Sequence, residues 1–300
     1  VAVIETSGLT KYYGDTPGII DLDLEVHEGE VFGFIGPNGA GKSTTIRTLL
    51  NFLFPTHGSG TILGLDIIKG SLEIRTRTGY LPGDLSMYET MTAREFLIYF
   101  ANLRKVDTSV RMQELADRFE LDLDRKIKDY STGNRQKVGI VNAFMPDPEL
   151  YILDEPTAGL DPLMQQEFQE MIGEIRDRGH TVFLSSHILP EVERIADRVG
   201  IVRQGRLIEV DSVEAFKAKA HRSVTIQFAT PVEASSFARL ESVASVETRN
   251  DGTVLSLTVK GSMDAVVKAA AKYNVLSVST RSGELEEVFL SYYSQDNNAS

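Results

Sequence analysis

The sequence predicts an α/β chain in which a mainly parallel sheet is sandwiched by helices and a small α+β domain follows. Three observations carry this. A short apolar run, Val31-Phe-Gly-Phe-Ile35, leads through a glycine-rich loop into a helical stretch from Lys42 to about Leu53. Two later apolar runs, Leu150 to Leu153 and Thr181 to Leu184, are strand-like, and each is followed by a helical pattern. Strands alternating with helices in this way build parallel sheets covered on both faces. Near His221 the texture changes to short alternating strands around one helical stretch.

Taken in order, the alternation Ile20-Asp-Leu22-Asp-Leu24-Glu-Val26 reads as a half-buried strand, and His27-Glu-Gly29-Glu as the turn into Val31. Residues from about 84 to 145 read as mainly helical. Within them Thr92-Ala-Arg-Glu95 is a capping-box pattern just ahead of Phe96-Leu-Ile-Tyr-Phe100. Ile201-Val-Arg-Gln-Gly205-Arg-Leu-Ile208 reads as a hairpin closing a first domain of residues 1–218. Ala218-Lys-Ala-His-Arg222 is linker-like and leads into a second domain, 222–293. There Val224 to Phe228, Val254 to Val259 and Val275 to Thr280 are strand candidates, and Met263 to Tyr273 is helical. Glu284 to Tyr293 reads as an amphipathic helix with Leu285, Val288, Phe289 and Tyr292 inward, and 294–300 as a disordered tail.

With 300 residues, 42% of them hydrophobic and 25% charged, the chain has material for one large domain or two. No apolar run approaches the roughly 18 residues that span a bilayer, so a membrane role would run through a partner. The start, Val1-Ala-Val-Ile-Glu-Thr, lacks the basic and long apolar regions of a signal peptide, and cysteine is absent. Both features fit a cytosolic address. The net charge is −12, and residues 222–300 hold seven Lys/Arg against nine Asp/Glu. A chain built to grip a phosphate backbone usually shows the opposite balance, so no nucleic-acid partner is expected.

The glycine-rich loop carries the chemistry. Gly36-Pro37-Asn38-Gly39-Ala40-Gly41-Lys42-Ser43 matches the phosphate-binding pattern G-x-x-x-x-G-K-S, in the strand–loop–helix setting that pattern requires. Its glycines let backbone N–H groups converge on phosphate oxygens, and the helix that follows adds its positive end. Lys42 offers a point charge to the β- and γ-phosphates, and the Ser43 hydroxyl a ligand to Mg²⁺. Asp154 and Glu155 end an apolar strand, where a parallel sheet presents its functional residues. Neighbours on a strand point in different directions and so take different tasks. Asp154 is expected in the Mg²⁺ shell, and Glu155 is expected to orient and polarise an attacking water. His187 follows the strand-like Thr181 to Ser186 and is a candidate γ-phosphate contact, whereas His27, His57, His180 and His221 show no ligand spacing.

With these residues in view, the chain resembles the nucleotide-binding subunit of an ABC (ATP-binding cassette) transporter over about residues 3–215. Tyr130-Ser131-Thr-Gly133-Asn134 is similar to the family signature Leu-Ser-Gly-Gly-Gln, keeping Ser131 and Gly133 and departing at Tyr130, Thr132 and Asn134. Ala158-Gly-Leu-Asp161 matches the loop after the catalytic Glu, and Ser186-His187 the switch histidine. Tyr13, by itself a core aromatic, stands where the family stacks a ring on adenine.

The resemblance implies a P-loop NTPase core with an antiparallel β subdomain and a helical subdomain at about 84–145. It implies ATP and Mg²⁺ as cofactors, and catalysis by Glu155, His187 and Lys42. Tyr13, Gly36 to Thr44, Ser131, Gly133 and Asp161 are then the nucleotide contacts, and Ser43 and Asp154 the metal ligands. It also implies an ATP-dependent head-to-tail homodimer, in which Ser131 and the helix after it close on the nucleotide held by the other copy.

One departure lies at Gly79-Tyr-Leu-Pro-Gly83-Asp84, where Gly83 stands at a place the family usually gives to Gln. Water or Asp84 then substitutes for the missing side-chain oxygen. The Gly83 variant, Tyr-Ser-x-Gly-Asn, the appended domain and Leu285-Glu-Glu-Val-Phe-Leu290 look similar to ATPase subunits of bacterial export systems for drugs, antibiotics, lipids or polysaccharides. Their partners are separate polytopic membrane permeases, which would hold this chain on the inner face of the cell membrane. The main alternative is a soluble ABC ATPase acting on ribosomes or DNA. Such proteins carry two cassettes or a long coiled-coil insertion, and this chain has neither pattern.

Overall fold

The computed structural model describes residues 1–219, 222–260, 262–281, 285, 286 and 289. They fall into two compact units, Val1–Val210 and Asp211–Ser300.

The first unit begins with antiparallel strands: β1 (Ala2–Tyr13), β2 (Thr16–Leu22) and β3 (Glu25–His27). The single strand expected over Ile20 to Val26 is therefore two, pairing with different halves of β1. Leu22, Leu24 and Val26 all remain buried across the break. The interruption comes from the aspartates between them. Asp21 takes a left-handed backbone (φ 47°), and an Asp23 carboxylate oxygen accepts the Gly8 N–H at 2.6 Å. Short acidic side chains of this kind compete with the ladder for backbone donors.

The buried run β4 (Val31–Ile35) then feeds helix α1 (Lys42–Leu49), and β5 (His57–Ile62) and β6 (Leu65–Asp66) return to the first sheet, whose order is β2-β1-β5-β6 with β3 also on β1. Helix α2 (Ser71–Arg77) runs straight into β7 (Thr78–Leu81). Three helices follow: α3 (Ala93–Arg104), α4 (Ser109–Arg118) and α5 (Thr132–Phe144). The capping box is present at α3. The Thr92 hydroxyl accepts the Glu95 N–H at 3.2 Å, and the Glu95 carboxylate accepts the Thr92 N–H at 2.9 Å.

The chain then alternates through β8 (Leu150–Asp154), α6 (Pro162–Asp177), β9 (Thr181–Ser186), α7 (Leu189–Ile195), β10 (Arg198–Arg203) and β11 (Arg206–Ser212). The second sheet has the order β11-β10-β4-β9-β8-β7, with β10, β4, β9, β8 and β7 mutually parallel. Its central strands are apolar on both faces, as a sheet covered on both sides requires. Phe32, Phe34, Ile152 and Phe183 lie in one core with Ile46 and Leu49 of α1. Phe32 and Phe183 stack at 5.9 Å.

In the second unit α8 (Val213–Lys219) is followed by β12 (Arg222–Phe228), α9 (Ser235–Ala238), β13 (Val243–Arg249), β14 (Val254–Val259), α10 (Asp264–Ala270) and β15 (Val275–Arg281). The first two residues of the expected linker, Ala218 and Lys219, thus complete a helix. The sheet order β13-β14-β12-β15, antiparallel throughout, makes this a β-α-β-β-α-β unit of the ferredoxin-like kind. Val224, Ile226, Phe228, Phe237, Leu255, Leu257, Val259 and Val266 form its core. Strand β13 is absent from the sequence reading because Val243 and Val246 are its only large apolar side chains, and it pairs only on one edge. Of the expected helix from Glu284 to Tyr293, only 285, 286 and 289 are described, with Leu285 buried. The expected tail at 294–300 lies outside the described residues.

Candidate active site

Strand register brings the site together. Ile35 of β4 pairs with Ser186 of β9, Asp154 of β8 with Ser185, and Leu81 of β7 with Leu153. The residues just beyond these ends are Gly36, His187, Glu155 and Pro82-Gly83. Ligands bind beyond the carboxyl ends of such strands. Four motifs far apart in the chain therefore meet along one rim.

The loop from Gly36 to Gly41 is a tight enclosure. A Cβ on Gly36 would lie 2.4 Å from the Val202 carbonyl oxygen. Gly41, the N-cap of α1, has φ 109°, and a Cβ there would lie 2.6 Å from the Gly18 carbonyl. Only glycine fits either place. Ala40 is buried, and its N–H closes a turn onto the Pro37 carbonyl at 3.1 Å. No side chain caps α1, so the N–H groups of its first turn, Lys42 to Thr44, are left for an outside acceptor. The positive helix end and these donors suit an anion.

Lys42 is almost fully buried, and its ammonium reaches the Gly36 carbonyl at 2.7 Å, the Pro37 carbonyl at 3.3 Å and a Glu155 carboxylate oxygen at 3.2 Å. The other Glu155 oxygen lies 2.8 Å from His187 Nδ1. One carboxylate thus bridges the loop lysine and the histidine after β9. Glu155 adopts φ 50°, a left-handed conformation that costs a non-glycine residue on the order of 1–3 kcal/mol. Ser185 holds that turn: its carbonyl and its hydroxyl each accept the Glu155 N–H at 3.2 Å.

The Ser185 hydroxyl also donates to Asp154 Oδ1 at 2.5 Å. Asp154 Oδ2 is buried with no hydrogen-bond partner. A Cβ on Gly83 would lie 3.1 Å from that same oxygen, so glycine keeps the space beside it open. A buried carboxylate oxygen without a donor fits a hard, oxygen-seeking cation, and Ser43 supplies a hydroxyl at the start of α1. Asp84 is exposed. The Asp154 charge and burial together push the Tyr80 hydroxyl up to about 12, burial contributing more.

Lys42, Ser43, Thr44, Asn38, Gly39, Gly41 and Glu155 line a cleft of about 320 Å³ with Tyr13, Pro17 and Gly18. Tyr13 stands half exposed at its edge, its hydroxyl 3.3 Å from Thr44 Oγ1, with the Lys11 ammonium 5.7 Å above its ring. Pro17 and Gly18 escape a motif-based reading, since only the pairing of β2 against β1 carries them to this wall.

The remaining candidates lie apart from that lining. Ser131 caps α5, its hydroxyl accepting the Asn134 N–H at 3.3 Å. Asp161 caps α6, one oxygen accepting the Leu163 and Met164 N–H groups at 3.1 Å each. A Cβ on Gly133 would lie 2.6 Å from the Gly159 carbonyl oxygen, a backbone atom that cannot swing aside. Gly133→Ala is therefore expected to lose about 1–3 kcal/mol in urea unfolding, the usual range for overpacking; unchanged stability would show that this contact gives way freely.

Three further residues around the site carry no sequence signal of their own. Ser185 is one. Gln136, buried in α5, donates to the Glu155 carbonyl at 3.3 Å and the Pro156 carbonyl at 2.8 Å. Glu191 of α7 accepts the Thr157 hydroxyl. Burial raises the Glu191 carboxyl above its usual range, the Thr157 bond opposes this, and the Glu155 charge raises it further.

A glycine loop opening a helix, a lysine within it and paired acids at the end of a neighbouring parallel strand define a P-loop nucleotide hydrolase. The ABC transporter family matches residues 19–158. The bacitracin transport ATP-binding protein of Bacillus licheniformis is 32% identical over 294 residues, covering 96% of each chain. The daunorubicin/doxorubicin resistance ATP-binding protein of Streptomyces peucetius is 33% identical over 300 residues, covering 96% of this chain and 91% of that one. Among solved structures, the ATP-binding subunit of an ABC transporter is 33% identical with a TM-score of 0.68, covering 72% of this chain and 92% of its own. A nucleotide-free cassette from an ABC transporter shares the fold at 21% identity, with a TM-score of 0.61 and coverage of 71% and 92%. The chain belongs to the ATP-binding subunits of ABC transporters, and it binds and hydrolyses ATP. The ribosome- or DNA-acting alternative finds no counterpart among these relatives.

Proposed function

We propose that this chain energises export through a separate polytopic membrane permease, and that Glu155 polarises the water that attacks the γ-phosphate of ATP. The observation that carries the catalytic part is the Glu155 carboxylate, held between Lys42 at 3.2 Å and His187 at 2.8 Å at the end of β8. The carboxylate thereby stands beside the two groups that reach the phosphates, where a general base must lie. Lys42 and the first-turn N–H groups of α1 bind the phosphates, Tyr13 supports the adenine, and His187 contacts the γ-phosphate. Ser43 and Asp154 hold Mg²⁺, which when bound neutralises charge on the phosphate oxygens. Ser131 and Gly133, which do not line the cleft of their own chain, serve the nucleotide of a second copy in a head-to-tail dimer, and Asp161 joins them there.

The export reading is supported by the names of the two relatives, which concern bacitracin transport and daunorubicin/doxorubicin resistance. Among the described residues no helix is long and apolar enough to cross a membrane, so this chain meets the membrane through its partner. An apolar surface suits that contact. Phe52, Phe54, Ile68 and Leu72 are exposed, and Arg75 lies over the Phe52 ring at 5.8 Å. An amphipathic cytoplasmic segment of the permease would cover it.

The test is capture of tagged Glu155→Gln protein, with Mg-ATP, from detergent-solubilised membranes of its own cell, followed by identification of what is retained. A polytopic membrane protein in stable stoichiometry is expected, with its recovery reduced in Phe54→Ser/Leu72→Ser while ATP affinity stays unchanged. Recovery of soluble partners alone would contradict the transport assignment and leave the ATPase intact.

A further inference from the structure

The turn that presents Glu155 is held from two sides, and only one of them belongs to the sheet. Ser185 of β9 takes the Glu155 N–H. The carbonyl side is taken by Gln136, whose amide nitrogen donates to the carbonyls of Glu155 and Pro156. Carbonyl oxygens only accept, so the Gln136 amide serves this turn only as a donor. The side chain is 5% exposed, which shields these bonds from water. Gln136 stands on α5, one helical turn beyond Gly133, which abuts the Gly159 carbonyl of the same loop. Residues three apart share a helix face. The face of α5 that carries these two residues therefore grips the segment 155–159 at two points, while its capped end presents Ser131.

We propose that Gln136 is a positioning residue: it fixes the left-handed backbone that aims the Glu155 carboxylate, and it makes helix α5 and the Glu155 turn move as one body. The inference rests on Glu155 being the base. Glu155 already spends strain on its backbone, and loss of the carbonyl anchor leaves Ser185 and a turn bond from the Ala158 N–H at 3.2 Å to restrain it.

The experiment compares full-length wild type, Gln136→Met, Glu155→Gln and the double variant. Methionine keeps the length of the side chain and removes both donors. Turnover of Gln136→Met is expected to fall roughly ten- to hundredfold, since small misplacements of catalytic groups cost that much, with the dissociation constant for ATP unchanged within about twofold. In single-turnover assays the double variant is expected to be no slower than Glu155→Gln by more than about twofold, because groups acting as a unit are not additive. Should Gln136→Met not fold, Gln136→Glu keeps the shape, faces the two carbonyls with acceptors, and is expected to lose turnover in the same way. Turnover near wild type in either folded variant, or an equal loss with and without the Glu155 substitution, would overturn the proposal. Wild-type turnover in Glu155→Gln would instead overturn the assignment of the base.

Discussion

Glu155→Gln is expected to lower steady-state ATP turnover by about 10²–10⁴-fold, the usual contribution of a positioned general base. The amide matches the carboxylate in size, so the substitution leaves the cleft its shape and removes the proton acceptor. Lys42 keeps its bonds to the Gly36 and Pro37 carbonyls at 2.7 and 3.3 Å, and the first turn of α1 is untouched. ATP affinity should therefore hold within a few-fold while phosphate release nearly stops. Phosphate release measured beside equilibrium nucleotide binding separates the two. Turnover at the wild-type rate would assign the water to another group.

Lys42→Ala should fail in the complementary way, at binding. Lys42 is the buried cation at the floor of the cleft, and charge-assisted hydrogen bonds of the kind it offers contribute about 1.5–3 kcal/mol each. Losing one such bond corresponds to roughly a tenfold to 150-fold weaker dissociation constant for ATP. The alanine also leaves the partly buried Glu155 carboxylate without its cationic neighbour, which makes the cleft more repulsive to a triphosphate. Lys42→Arg is expected to recover little, because a planar guanidinium does not fit a place shaped for a compact ammonium. Calorimetric titration with ATP reads both variants; a dissociation constant equal to wild type in Lys42→Ala would remove the lysine from phosphate binding.

Much of this site could be read from residues alone, for a physical reason. Phosphate binding needs glycines at places where the backbone turns left-handed or is crowded, a lysine, and a hydroxyl at the helix start, so Gly36, Gly41, Lys42 and Ser43 are local in sequence. Asp154, Glu155 and His187 show through because they end apolar strands. The pairing order that sets β9 between β4 and β8 is not local, and it is what brings His187 to 2.8 Å from Glu155. Ser185 and Gln136 act through hydrogen bonds to the Glu155 turn, and a serine in a strand or a glutamine in a helix announces nothing by itself. Strand β13 and the break at Asp21 failed to show because an edge strand needs few apolar residues and a left-handed aspartate leaves the alternation intact.

The proposed closing of two copies over ATP follows from Ser131 and Gly133 having no place in the cleft lining of their own chain. Light scattering of the Glu155→Gln protein with and without Mg-ATP measures it. A mass that doubles with ATP and returns to the monomer in Ser131→Arg is the expected result. A monomer at saturating Mg-ATP, with binding confirmed in the same sample, would contradict the shared site.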